Sequence, residues 1–516
     1  MGDPDRVAIS VDGNDSLTYT DLRHQRNRYV DVLTEAAVGP GDRVGIMLLN
    51  SLDYVALYFA IARIGAIAVR LNFRLSPDEL EYVINDAGCS VVVMHTSRVS
   101  QLEPIRNRVQ VTTWFSLVDG ENPIPQWAPE PPLAKASIQD SDRPRPTGTD
   151  PLMLMYTSGT TGRPKGVIWT HDNALWLAAN QSVKWSYTTR TVSLTTGPLY
   201  HAGAFEVLLL PALYVHGTAV TMSSGGLTTR RIVEAIARTS ATHVMLYPFQ
   251  LYELLRDETL QQLGSVTRIL TGGDPVAPWA LDTIDKKFPD VELQNAYGLT
   301  EGGTMSTCLD HVDRYRHPNS VGRPMPLTEV RTVGEDGTAL VAGGVGEVWV
   351  RSPTVTAGYW NKPEATAETF VDGWLRTGDL GRITDDGFLI LTGRAKDMIR
   401  SGGENIYPAE VEAVLASHPN VSAIAVVAVP NATYLEVGCA IVVRSELCVD
   451  RSEAQVEHDL RAFARQKLAG YKTPRHYVFV KELPINASGK VQKHLLRSRY
   501  ATLGSEVEPV SATADL

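Results

Sequence analysis

The sequence predicts an α/β protein: a large N-terminal part of parallel-sheet subdomains, a small β unit, and a small α+β domain at the C-terminal end. Three observations predict it. Strand and helix signals alternate in the N-terminal region and again from Leu152 to about Cys308, the pattern of parallel sheets covered by helices. Short alternating strands with glycine turns fill Val321 to Leu391. Past Gly393 the pattern becomes mixed over ~120 residues, enough for a separate small domain. The whole chain has 516 residues, and at ~150 residues per domain that suggests two to four units.

In chain order, Val44 to Leu49 reads as a strand, Tyr54 to Gly65 as an apolar helix, and Ala66 to Leu71 as a strand. Ser76-Pro77-Asp78-Glu79 then combines a cap, a proline at the first helical position and a glutamate three residues after the cap. Apolar residues follow at Leu80, Val83 and Ile84, and Gly88 stops the helix. Val91 to Met94 is a buried strand. Residues 120–150 are proline-rich and read as a surface connection. In the last domain Pro408 to Ser417 is a helix, and Val421 to Val429 and Val437 to Val443 are strands. Ser452-Glu453-Ala454-Gln455 is a second capping box, opening a helix towards Leu468. His476 to Val480 is a strand.

Composition narrows the function. The chain is 43% apolar and 21% charged, with a formal net charge of −10. That balance argues against a broad nucleic-acid or anionic-membrane surface. Cys89, Cys308, Cys439 and Cys448 are scattered without a CxxC pair and read as small core residues. The helix from Tyr54, interrupted by Arg63, is too short to span a bilayer. Met1 to Arg6 lacks an apolar signal core, so a cytoplasmic protein is expected.

The stretch Met155 to Gly166, MYTSGTTGRPKG, carries the first chemical signal. Its glycines, Gly159 and Gly162 among them, let backbone N–H groups approach an anion closely. Thr157, Ser158, Thr160 and Thr161 offer hydroxyls, and Lys165 a mobile charge. A Walker loop needs Ser or Thr after its lysine and opens a helix. Here Gly166 follows Lys165 and the flanks are strand-like, so helix-dipole binding of phosphate is not expected. Taken alone, such a cluster reads equally well as a surface hairpin.

Further stretches resolve that ambiguity. From about Leu17 to Lys493 the chain resembles the adenylate-forming enzymes: acyl-CoA synthetases, luciferases and the adenylation domains of peptide synthetases. Asn295-Ala296-Tyr297-Gly298-Leu299-Thr300-Glu301 resembles their adenine and magnesium motif. The resemblance implies that Tyr297 stacks on adenine, that Thr300 touches the α-phosphate, and that Glu301, with Thr160, holds Mg²⁺. Gly272-Gly273-Asp274-Pro275 resembles the stretch beside the adenine and the acyl pocket. Asp379, in Trp374 to Asp379, matches the aspartate that grips both ribose hydroxyls, a pairing that suits a carboxylate. Gly393-Arg394-Ala395-Lys396-Asp397 resembles the hinge, with Arg394 on the ribose and Lys396 at the pivot, where many relatives carry aspartate. Lys490, in Pro484 to Lys490, matches the catalytic lysine.

The implied domains are 1–395, binding ATP and the acid, and 396–516, mobile about Lys396. The implied reaction joins a carboxylic acid to coenzyme A, using ATP and Mg²⁺, through an acyl-adenylate. Ser401, Gly402 and Gly403 are expected at the pantetheine tunnel, where glycines let a thin thiol arm pass. Pro198 to Phe205 resembles the segment flanking the acyl pocket, with His201 at its entrance; a hydrogen-bonded core histidine is the competing reading. Glu206 is the only acid in Leu199 to Leu213, where peptide-synthetase domains usually carry an aspartate, which weighs against an amino acid substrate. Tyr247, Pro248 and Phe249, read as part of the strand-like stretch from Val244, are expected to line the same pocket. Apolar and aromatic lining favours a medium-chain, long-chain or bulky aliphatic acid, with an aryl acid as the alternative. The compact Val321 to Tyr359 stretch lacks the insertion expected of relatives that load a carrier protein, favouring coenzyme A as acceptor. A homodimer stays open.

Overall fold

The protein is described by a computed structural model covering residues 3–135, 144–157, 163–260, 263–272, 276, 278–401, 404–431, 433–448, 450–485 and 491–503. It divides into two compact units. The first holds residues 1–331, 349–377 and 386–389; the second holds 332–348, 378–385 and 390–516.

Two large sheets build the first unit. One has six strands in the order Thr113–Leu117, Cys89–His95, Arg43–Met47, Ile67–Arg70, Pro151–Thr157, Lys165–Thr170. All are parallel except the last, which pairs antiparallel with Pro151–Thr157. The other has nine strands, and its centre is parallel: Glu292–Tyr297, Arg268–Gly272, His243–Met245, Val192–Thr195, Thr218–Thr221 and Val7–Val11. Such sheets are apolar on both faces because helices cover both. Accordingly, four of the five residues in Arg43–Met47 and all four in Ile67–Arg70 are buried.

Local signals place the covering helices. The helix Pro77–Ala87 starts at a complete Ser76 capping box, and Gly88 ends it at φ +68°. Leu80, Val83 and Ile84 are its buried face. The helix Leu52–Ile64 is likewise capped by Ser51 and stopped by Gly65. The four cysteines are buried free thiols.

A five-stranded sheet follows: Glu329–Val333, Gly346–Arg351, Trp374–Ile383 and Phe370–Val371 in order, with Leu389–Arg394 pairing Trp374–Ile383. Its residues are shared out between the units. The rest of the second unit is a mixed sheet around Val421–Asn431 and Leu435–Arg444, with His476–Val480 parallel to the latter. The helices Pro408–Ala416 and Glu453–Lys467 pack on it. The second capping box forms as expected at Ser452. Among the described residues no helix is long and apolar enough to cross a membrane.

One expected element differs. The strand from His243 ends at Met245, and Pro248 opens a helix, Pro248–Arg256. Proline is pre-set for the first helical turn, and Gln250 accepts the Tyr247 N–H at 3.0 Å. Phe249 therefore points from a helix and is 62% exposed, rather than lying on a strand.

Candidate active site

The residues singled out in the first unit gather at the C-terminal ends of parallel strands, where ligands bind in open α/β sheets. Thr157 ends Pro151–Thr157, Gly272 ends its strand, and Thr300 and Glu301 follow Glu292–Tyr297 in a short 3₁₀ turn. His201 follows Val192–Thr195.

Three side chains gather near Glu301, two on its carboxylate and the third on the ring of one of them. The Thr157 hydroxyl lies 3.4 Å from Glu301 Oε1, and the Tyr359 hydroxyl donates to the same oxygen at 3.0 Å. The Lys165 ammonium stands 4.9 Å from the centre of the Tyr359 ring, within cation–π range. Burial and the adjacent Glu301 carboxylate push the Tyr359 phenol up, so it stays a protonated donor at neutral pH.

Backbone pairing sets this arrangement. Thr157 and Lys165 face each other in the antiparallel register. On the other side of Lys165–Thr170, the Ile168 N–H donates to Gly358 O, Ala357 N–H to Ile168 O, and Trp360 N–H to Gly166 O. The same segment grips the 3₁₀ turn: Thr356 N–H and Oγ1 both donate to Glu301 O, and Thr354 Oγ1 to Gly302 O. Tyr359 thus joins the phosphate-loop strand to the Glu301 turn. No motif singled it out, because its partners are nearly 60 and 200 positions away in sequence.

The stretch expected to meet the adenine is a strand end. Asn295, Ala296 and Tyr297 pair with Leu309, Cys308 and Thr307 on one side, and Gly272 pairs with Ala296 on the other. A Cβ at Gly272 would stand 2.6 Å from Ala296 O, and one at Gly298 2.2 Å from Thr304 O. Both positions need glycine for the strands and turn to approach so closely.

The acyl-flanking segment is also built from unusual geometry. His201 caps the short helix Ala202–Ala204, its Nδ1 accepting the Gly203 N–H at 3.2 Å. It is exposed, which excludes a core histidine. Phe205–Leu209 then forms a π-helical turn, a feature frequent at functional sites. Glu206 in this turn is fully buried in a bidentate ion pair with Arg70, 2.8 Å on one side. Arg70 also lies over the Tyr58 and Phe205 rings. Glu206 is therefore already satisfied by the protein. Asn50 fixes the start of the segment: its Nδ2 reaches Gly197 O, Thr221 Oγ1 and Met222 O, while Leu199 N–H donates to its Oδ1 at 2.8 Å.

In the second unit Asp379 and Arg394 meet. Asp379 is 7% exposed, and Arg394 Nε lies 3.0 Å from its Oδ1. Lys396 sits in the 3₁₀ turn Ala395–Asp397, directly after the strand that ends at Arg394. Burial is the largest influence on its ammonium and draws its pKa down. Ser401 is buried at the end of Ile399–Ser401, opposite Leu435. Ser158, Gly159, Thr160, Thr161, Gly162, Gly273, Asp274, Gly402, Gly403 and Lys490 lie outside the described residues.

The set fits a magnesium nucleotide. Among the described residues no group of three His, Cys, Asp or Glu side chains could cage a metal. Mg²⁺ needs none: it is held by one or two carboxylates, with waters and substrate phosphates filling the rest. Glu301 offers such a carboxylate, and its Oε2 accepts from no protein donor among the described residues.

A parallel α/β unit with this cluster at its strand ends, in one chain with a small α+β unit, defines an adenylate-forming ligase. The AMP-binding enzyme model matches residues 1–360 and its C-terminal domain model residues 410–490. The chain belongs to that family. It is 35% identical to a feruloyl-CoA synthase of Amycolatopsis sp over 494 residues, 95% of either chain. It is 32% identical to the long-chain-fatty-acid–CoA ligase FadD13 of Mycobacterium tuberculosis over 510 residues, 94% of this chain and 93% of that one. Among solved structures it resembles ATP-bound MatB from Rhodopseudomonas palustris, at 31% identity and a TM-score of 0.87, over 98% of this chain and 97% of that one. The protein is an AMP-forming acid–thiol ligase that works through an adenylate, with ATP, Mg²⁺ and coenzyme A as its requirements.

Proposed function

We propose that the acid is compact and ring-bearing, an aryl or arylalkenyl carboxylate. The supporting observation is the aromatic set around the His201 segment. The Tyr200 ring meets Phe73 edge-on at 5.0 Å. Tyr247 fills the space beside Gly197, where a Cβ would lie 2.8 Å from its hydroxyl. Flat rings pack on such edges and faces with specific geometry. The sealed Arg70–Glu206 pair leaves no free carboxylate there for an amino group. This reverses the order drawn from the sequence, where an aliphatic acid came first. The aliphatic reading keeps the likeness to FadD13 as its support. A panel of cinnamate, benzoate, decanoate and hexadecanoate, followed by pyrophosphate release, tests the order. Cinnamate or benzoate should give the highest kcat/KM; preference for either fatty acid rejects it.

The reaction has two halves. The carboxylate oxygen, already ionised at neutral pH, attacks the α-phosphorus of ATP. The P–O bond to pyrophosphate breaks, and pyrophosphate leaves with the electron pair. Bound Mg²⁺ would neutralise charge on the phosphate oxygens, with Glu301 as its carboxylate and Thr160 beside it. Thr157, Lys165 and the residues between them are proposed to hold the departing β- and γ-phosphates, Thr300 the α-phosphate, and Tyr297 the adenine. Asp379 and Arg394 would take the ribose hydroxyls and Lys490 the bridging oxygen, all by positioning and electrostatics. The thiol of coenzyme A then attacks the acyl carbon and loses its proton, and the C–O bond to AMP breaks. Ser401, Gly402 and Gly403 are proposed to border the pantetheine arm.

A further inference from the structure

Beneath the phosphate-loop strands lies a polar cluster that the reaction as described does not use. Its centre is Asp86, 10% exposed, in the last turn of Pro77–Ala87. A carboxylate at a helix C-terminus faces the negative end of the macrodipole, so the helix itself gains nothing from it. Its partners come from two distant segments and from its own helix. Tyr156 OH donates to Oδ2 at 2.8 Å, and Lys362 Nζ to Oδ1 at 2.9 Å. The Tyr82 hydroxyl is shared between Oδ1 at 3.4 Å and Pro164 O at 3.2 Å. Asn361 Nδ2 reaches Asp86 O at 3.4 Å.

Tyr156 immediately precedes Thr157, and Pro164 immediately precedes Lys165. Lys362 closes the segment that carries Tyr359. The Tyr156 ring reaches Asp86 by crossing Gly166: a Cβ there would stand 3.0 Å from the ring. That contact gives Gly166, the residue that breaks the Walker pattern, a steric reason to be glycine.

We propose that Asp86 is a positioning residue for ATP: its carboxylate fixes one stem of the phosphate loop through Tyr156 and the Tyr359 segment through Lys362, while the neighbouring Tyr82 hydroxyl reaches the other stem at Pro164 O. Thr157, Lys165 and Glu301 are then held in place before the triphosphate arrives. The inference rests on the ligase reading and adds a residue that never touches substrate. It predicts a selective defect, because AMP lacks the β- and γ-phosphates that the stems serve.

Calorimetric titration of the full chain with MgATP, inorganic pyrophosphate and AMP tests this. Asp86→Asn keeps size and removes charge. Its Kd for MgATP and pyrophosphate should rise about tenfold or more, the scale of one lost charge-assisted bond, while that for AMP stays within about twofold. Tyr156→Phe, which leaves the Asp86–Lys362 pair intact, should shift the same two ligands less and carries the test if Asp86→Asn does not fold. Equal weakening of ATP and AMP, or of neither, overturns the proposal. A wild-type chain that binds no ATP would contradict the ligase reading instead.

Discussion

Around Glu301, a single hydroxyl separates positioning from packing. Tyr359→Phe keeps the ring that Lys165 faces and removes the donor to Glu301. A hydrogen bond to a charged group contributes about 1.5–3 kcal/mol. Adenylate formation, read as pyrophosphate release, should slow roughly tenfold, with thioester formation from supplied acyl-adenylate unchanged. An unchanged first half would remove Tyr359 from the site. Residues of this kind were not legible in the sequence. Thr157 and Lys165 stand in a Ser/Thr/Gly-rich stretch whose chemistry suits phosphate, and Glu301 in a short motif that the family resemblance singles out. Tyr359, Asp86 and Asn50 take their roles from partners far along the chain, and nothing in their immediate neighbours differs from ordinary loop or helix sequence.

Among the elements, the capped helices were the most legible. Ser76 to Gly88 and Ser452 to Lys467 form where their capping boxes place them, because the signal is entirely local. The segment from His201 to Tyr214 was not, since its π turn is held by tertiary contacts. The buried Arg70–Glu206 pair is one of them. Replacing Glu206 by Gln leaves a guanidinium buried without its counter-charge, which costs about 3–5 kcal/mol. The denaturant midpoint should fall accordingly, and Arg70→Met combined with Glu206→Leu should recover part of the loss. A midpoint unaffected by Glu206→Gln would show that the pair does not hold the turn. Tyr247 to Phe249 shows the opposite failure: an apolar, aromatic run has no strand-or-helix preference of its own, and Pro248 decided it.

For the whole molecule, alternation of strands and helices was enough to give the α/β class, and motif order was enough to give the family. What neither contains is the sharing of residues 332–348 and 378–385 with the C-terminal part in one compact unit, since long-range sheet pairing has no local signature. The proposed boundary at Lys396 predicts a division of labour between the two halves of the reaction. Lys396→Pro fixes the backbone at the pivot and should slow thioester formation while sparing adenylate formation; an unchanged rate from adenylate to thioester would reject the pivot. The most direct test of the two-half account is Lys490→Ala, with each half measured separately in single-turnover experiments. The account predicts adenylate formation reduced ~100-fold or more, the scale of losing one preorganised charge-stabilising group, and thioester formation from supplied acyl-adenylate close to wild type. Equal loss in both halves would contradict it.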